Sequence, residues 1–270
     1  MKENDKGISI ILPTLNERKN LEKLIPDFID NLEKNHIKNY EILVIDDRST
    51  DNTKEYVDSL TKINSKIKLI VREKYRSLPQ SILDGINHSI FEYVIWLDAD
   101  LSMPAKDSLK LIKEFFSKDY EVVIGSRFTN GGGYKGVKDI SNNSLMFAIK
   151  NVHKSNDSVI GMLFSIFFNK ILNLLLKIEI KDITSGFIVL PKNLINSKVF
   201  TMSNYGEYFI YLVNDLTKKG VHIKEIGYIC ETRLHGESKT ASSFLQLIKR
   251  GIPYIKAALK CRIYKYENIW

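Results

Sequence analysis

The sequence predicts an α/β fold built on a mainly parallel sheet with helices on both faces. Three observations lead there. Apolar runs of strand length recur through the first half of the chain, and segments of helical period separate them. Crossovers of that length join parallel strands and are right-handed, which covers both sheet faces. Finally, the polar residues that end these runs include repeated carboxylates, as expected where ligands gather beyond the carboxyl ends of parallel strands.

The first run, Gly7 to Leu15, is broken by Pro13, and Leu21, Leu24, Ile25, Phe28, Ile29 and Leu32 follow at helical spacing. Tyr40 to Ser49 is the second strand and ends in Asp46 and Asp47; Ser49, Thr50 and Asp51 then offer caps to a helix. Lys66–Glu73 and Leu78–Ile90 form the next strand and helix. The fourth strand, Glu92 to Asp100, ends in two carboxylates one residue apart. Pro104 opens the helix after it, and Tyr120–Phe128 is the fifth strand. Pro13–Glu17, Asp46 and Asp47, Asp98 and Asp100, and Ser126 and Arg127 should therefore line one rim.

The second half is less regular. The glycine run Asn130–Gly136 reads as a mobile loop, Lys181–Lys192 and His222–Arg233 as strands, and Tyr208–Gly220 as a helix between them. Phe244–Tyr266 is helical, with a break near Gly251 and Pro253. The expected organisation is a catalytic domain over residues 1–240 and a basic helical extension over 241–270.

A hydrophobic content of 44% supports a sizeable core, and two cysteines are too few for a disulfide framework or a zinc ligand set. The first residues lack the apolar core of a signal peptide. The net charge is +8, and from Lys239 to Lys265 there are seven basic residues and no acidic one. Nucleic acid, an anionic membrane surface and a solvated basic face are the readings open for this tail. Val159–Leu176 is the nearest approach to a spanning segment. Burying Lys170 at a bilayer centre would cost roughly 3 kcal/mol or more, so the segment reads as an amphipathic helix, either core or interfacial.

Asp98 and Asp100 carry the chemistry. Like charges that close repel unless a cation lies between them, and oxygen-only ligation suits Mg²⁺ or Mn²⁺. The other reading is a solvated turn with one carboxylate capping the next helix.

The stretches Ile11–Leu21, Val44–Thr53, Leu97–Ser102, Gly125–Phe128, Asp182–Phe187 and Arg233–Lys239 resemble, in order and spacing, the family 2 glycosyltransferases of GT-A fold. The branch they are most similar to transfers mannose to polyprenyl or dolichyl phosphate. The resemblance covers roughly residues 8 to 245.

The resemblance implies that Pro13, Leu15, Glu17, Ile45 and Asp47 contact the nucleotide of a sugar donor. Asp98, Asp100 and Ser102 would hold the divalent metal, with Ala99 beside the donor. Arg127, Arg233 and Lys239 would grip phosphates. For each cation a plain surface position is the alternative, for Glu17 a carboxylate favoured by the helix dipole. Asp46 reads as a structural or capping partner.

No catalytic base is evident, and His235 is the only histidine near these motifs. A lipid monophosphate, with its second pKa near about 6, attacks without one. The expected function is inverting transfer of a hexose, with mannose from GDP-mannose favoured, to a polyprenyl phosphate. It would take place peripherally at the cytoplasmic face of a membrane, without nucleic acid. Surface helices or an anchoring partner would supply the membrane contact. The alternatives are a UDP-sugar with another acceptor, and a nucleotide-sugar-binding protein without activity. Leu15, Arg48 and Ile188 depart from the family pattern, and residues 141–157 read as an insertion.

Overall fold

The computed structural model describes residues 6–117, 120–134, 137–138, 159–231 and 244–263. The first half alternates as expected: β1 (Ile8–Thr14), α1 (Arg18–Lys34), β2 (Tyr40–Asp46), α2 (Thr53–Ile63), β3 (Ile67–Val71), α3 (Leu78–His88), β4 (Tyr93–Trp96), α4 (Ala105–Ser117) and β5 (Val122–Ser126). The second half holds β6 (Gly133–Tyr134), β7 (Val137–Lys138), α5 (Val159–Leu176), β8 (Ile188–Pro191), α6 (Lys198–Thr201), α7 (Tyr208–Lys218), β9 (Ile223–Gly227), β10 (Ile229–Cys230) and α8 (Phe244–Ile263).

Seven strands form the main sheet in the order β3-β2-β1-β4-β8-β5-β9. Only β8 runs antiparallel, between β4 and β5, with Trp96 opposite Ile188. Its beginning therefore lies at the same rim as the ends of its neighbours. That brings the Asp182–Gly186 turn to the rim, where a strand from Lys181 had been expected.

Successive residues of each strand serve opposite faces. Ile11, Ile45, Val94, Trp96 and Ile124 pack with α3, α5, α7 and α8. Ile10, Leu12, Val44, Ile95 and Val123 pack with α1, α2 and α4. Helix α3 lies close on the sheet because Gly85 has no side chain: a Cβ there would fall 2.4 Å from Ile11 Cγ2.

The basic C-terminal extension is built into the first of these cores, since α8 buries Ala257, Ala258 and Cys261. Helix α5 is two-faced. Asn169 and Leu172 are buried, whereas Phe167 is 63% exposed and Leu174 80%. Among the described residues no helix is long and apolar enough to cross a membrane. The glycine run expected as a mobile loop contributes instead to a small sheet, where Gly133–Tyr134 pairs with both β7 and β10. Gly132 allows this approach: a Cβ there would meet the Arg127 carbonyl oxygen at 2.7 Å.

Candidate active site

The rim expected from the sequence is present. The Asp47 N–H donates to the Thr14 carbonyl (2.9 Å), which joins the ends of β1 and β2. Asn16 adopts a left-handed conformation (φ 57°) and binds the loop after β2 through its N–H to Ser49 Oγ and its Oδ1 to the Thr50 N–H. Asn20 Nδ2 donates to Glu17 Oε2 (2.5 Å), and the Arg18 N–H donates to Asp51 Oδ2 (3.0 Å). A cleft of about 380 Å³ opens here, lined by Asn16, Glu17, Arg18 and Asp51 among others. Burial opposes ionisation of Asp51, but hydrogen bonds from Thr53 and the Arg18 N–H prevail and hold its carboxyl below the usual value.

The two carboxylates after β2 divide their duties. Asp46 is buried and accepts from the backbone and hydroxyl of Ser49, the local structural role expected of it. Asp47 is buried too. Its Oδ1 takes Arg72 Nη1 (2.7 Å) and its Oδ2 the Ser77 N–H (2.7 Å). Arg72, fully buried, also donates through Nε to Asp84 (2.7 Å), while its Nη2 is buried with no hydrogen-bond partner. Sequence reasoning missed Arg72, although its place one residue past β3 on the same rim was a usable signal.

Ile45 corrects the expected nucleotide contacts. The residue is fully buried beneath α3 and lies in the sheet between Pro13 and Ile70, so it offers no surface to a nucleotide. Ala99 is likewise buried, packed with the second core. Pro13, Leu15 and Glu17 are partly exposed at the rim.

Past β4 the chain makes a tight turn. Asp98 is partly exposed and Asp100 only 3% exposed. Leu101 takes a left-handed φ of 67°, a conformation that costs a non-glycine residue roughly 1–2 kcal/mol. Three contacts hold it: Leu101 packs into the second core, the Ser102 N–H donates to Asp100 Oδ1 (3.0 Å), and the Ser102 carbonyl accepts from the Glu231 N–H (3.0 Å). The last bond brings the end of β10 to this turn. Arg233, Lys239 and His235 lie outside the described residues, as do residues 141–157.

Among the described residues no cluster of three or more His, Cys, Asp or Glu side chains is placed to hold an ion. Asp98 and Asp100 suit a different case, a hard divalent ion that takes one or two carboxylates and completes its shell with phosphate oxygens and water.

Arg127 has a different partner from the phosphate expected for it. Its Nε and Nη2 donate to the two oxygens of Asp182 (2.7 Å each), its backbone N–H to Oδ2 (2.9 Å), and Nη2 also to Thr184 Oγ1 (3.0 Å). Asp182 is wholly buried and the Arg127 side chain 14% exposed. Burial alone would lower the guanidinium pKa, but the Asp182 charge more than offsets this and raises it well above its usual value. Asn169 of α5 donates to Thr184, joining that helix to the cluster. Asp182 belongs to a motif quoted above, but the motif alone did not disclose its partner.

Beside Asp98, Trp96 Nε1 donates to the Tyr208 hydroxyl (3.0 Å). Burial, then the Asp98 charge, pushes this phenol well above its usual pKa, so it remains protonated near neutrality.

A family model described as glycosyl transferase family 2 matches residues 9–197. A dolichol-phosphate mannosyltransferase of Pyrococcus furiosus is 33% identical over 236 residues, covering 86% of this chain and 58% of that one. A dolichol-phosphate mannosyltransferase of Saccharomyces cerevisiae is 29% identical over 125 residues, 46% of each chain. The chain thus spans about half the length of these relatives. Among solved structures, Mycobacterium tuberculosis glucosyl-3-phosphoglycerate synthase in complex with Mn²⁺, UDP and glucosyl-3-phosphoglycerate superposes with a TM-score of 0.60 at 16% identity, over 97% of this chain and 82% of that one. The fold is the GT-A arrangement.

Proposed function

Because the chain belongs to glycosyl transferase family 2, we propose that it is an inverting, metal-dependent glycosyltransferase that moves mannose from GDP-mannose to a polyprenyl phosphate. The observation that carries this reading is the Asp98–Ser102 turn at the middle of the rim, within a chain similar to dolichol-phosphate mannosyltransferases.

The nucleotide lies over the ends of β1 and β2. Pro13, Leu15 and Glu17 face it from one side and the Asp47–Arg72 pair supports it from below. Asp98 and Asp100 would hold Mg²⁺ or Mn²⁺, and Ser102 completes the turn. Such an ion would supply positive charge opposite the departing nucleoside diphosphate. Arg127, fixed by Asp182, braces the rim beside the donor, and Arg233 and Lys239, which lie outside the described residues, are the cations proposed to grip its phosphates. The acceptor is already anionic near neutrality, so the chain's part is to align it behind the sugar and exclude water. Transfer takes place at the cytoplasmic face of a membrane. Exposed Phe167 and Leu174 on α5, and Ile252, Leu259 and Ile263 on α8 among Lys249, Arg250, Lys256 and Arg262, supply an apolar surface with cations around it.

The test incubates the protein with Mn²⁺, labelled GDP-mannose and polyprenyl phosphate in vesicles, with UDP-sugars as a parallel arm. Organic-extractable product from GDP-mannose is expected. Product from a UDP-sugar alone would favour the second reading, which rests on the fold shared with a UDP-bound synthase. Donor binding without product from any donor would leave a nucleotide-sugar-binding protein.

A further inference from the structure

We infer that Asp107 and Lys110 of α4 are positioning residues for the Asp98–Ser102 turn, acting through the strand that runs from Gly227 to Glu231. The inference rests on the metal reading of that turn for its function and on hydrogen bonds for its geometry.

Along an extended strand, alternate residues turn their backbone N–H and C=O groups to opposite edges. From Gly227 to Glu231 the two edges have different partners. Tyr228 turns to β5 and β6: its N–H donates to the Ser126 carbonyl (3.1 Å), and its carbonyl accepts the Gly133 N–H (3.0 Å). The other edge faces α4 and the turn. There the Gly227 carbonyl accepts Lys110 Nζ (2.7 Å), the Ile229 N–H donates to the Asp107 carboxylate, and the Glu231 N–H donates to the Ser102 carbonyl (3.0 Å). Lys110, Asp107 and Ser102 thus meet Gly227, Ile229 and Glu231 in order, one segment descending as the other ascends. Asp107 and Lys110, three residues apart, share one face of α4. They set the register of the strand, and that register decides where the Glu231 N–H reaches the turn.

The strand is held on its far side as well. A Cβ at Gly227 would fall 2.2 Å from the Asn130 carbonyl oxygen and 2.4 Å from the Gly132 nitrogen, so the backbone already touches that loop. Yet β10 is two residues long and pairs with an equally short β6, a sheet too small to fix its own position. Asp107 Oδ2 is buried with no hydrogen-bond partner among the described residues. The carboxylate therefore gives up hydration to hold the Ile229 N–H. Through Glu231 that hold passes to Ser102, whose own N–H donates to Asp100 Oδ1 (3.0 Å), a carboxylate of the proposed ion site.

Calorimetric titration of GDP, with and without Mn²⁺, into the wild-type, Asp107→Ala, Asp107→Asn and Lys110→Met proteins tests this. Asp107→Ala should lose about tenfold of the gain in GDP affinity that Mn²⁺ confers, the scale on which residues behind a metal's ligands act. GDP affinity without Mn²⁺ should stay unchanged. Asp107→Asn keeps an oxygen for the Ile229 N–H and should retain the gain. Lys110→Met removes the other anchor but keeps its aliphatic stem, and should lower the gain severalfold; it decides the matter if Asp107→Ala does not fold. A lower melting temperature with the full Mn²⁺ gain is what a merely structural contact gives, and would overturn the proposal. So would an Asp107→Asn protein as impaired as Asp107→Ala, or an equal loss of GDP affinity without Mn²⁺. If Mn²⁺ leaves GDP affinity unchanged in the wild-type protein, the metal reading falls and the positioning role with it. A wild-type gain that survives intact in the variants overturns the positioning role alone.

Discussion

Removing the Asp182 carboxylate leaves the Arg127 guanidinium buried without its counter-charge. Asp182 is wholly buried and takes both guanidinium hydrogen bonds and the Arg127 N–H. Losing one partner of such a pair costs about 3–5 kcal/mol. For a domain of this size that is a fall in melting temperature of about 10 °C. Asp182→Asn keeps one acceptor and should lose about 2–3 kcal/mol. The combined Asp182→Ala/Arg127→Ala change abolishes the unpaired charge, so its cost should fall short of the two single losses by more than about 1 kcal/mol. Urea unfolding of the wild type, Asp182→Ala, Asp182→Asn, Arg127→Ala and the double variant, followed by circular dichroism, gives each value. A shift under about 2 °C for Asp182→Ala, or an additive double change, would refute the buried-pair reasoning.

Three further predictions concern other parts of the molecule. Gly85→Ala should destabilise by about 1–3 kcal/mol in urea melts, because the new Cβ would stand 2.4 Å from Ile11 Cγ2 and force α3 off the sheet; an unchanged midpoint would contradict that packing. Burial raises the Glu225 carboxyl above its ordinary 4.5, so its contribution is fully present below that pH and is lost as pH rises through the raised value. Glu225→Gln should flatten this part of the stability–pH curve, and an identical slope would contradict it. Phe167→Glu with Leu174→Glu should weaken binding to anionic vesicles by at least about tenfold, since each exposed side chain offers about 1.5–3 kcal/mol on burial; equal sedimentation with vesicles would exclude α5 as a contact.

The alternating half of the fold was legible because each strand carries an apolar run and each helix a clear 3.6-residue period, as with Leu21, Leu24, Ile25 and Phe28. The rim followed from where those runs stop. The direction of β8 was not legible, since a four-residue apolar strand has the same sequence pattern whichever way it runs. Ile45 misled for a related reason: proximity to the rim along the chain does not say which face a side chain serves, and alternation turns this one into the core. Arg127 was correctly placed on the rim, but its pairing with Asp182, 55 residues away, is a tertiary fact.

The central claim is that Asp98 and Asp100 hold a divalent ion together with a nucleoside diphosphate. Calorimetric titration of GDP, with and without Mn²⁺, into the wild-type, Asp98→Asn and Asp100→Asn proteins tests it most directly. The account predicts that Mn²⁺ tightens GDP binding to the wild-type protein by roughly a hundredfold, within the usual range of coupling between two ligands, and that either substitution removes the gain. GDP affinity that ignores Mn²⁺, or a gain that survives both substitutions, would contradict it.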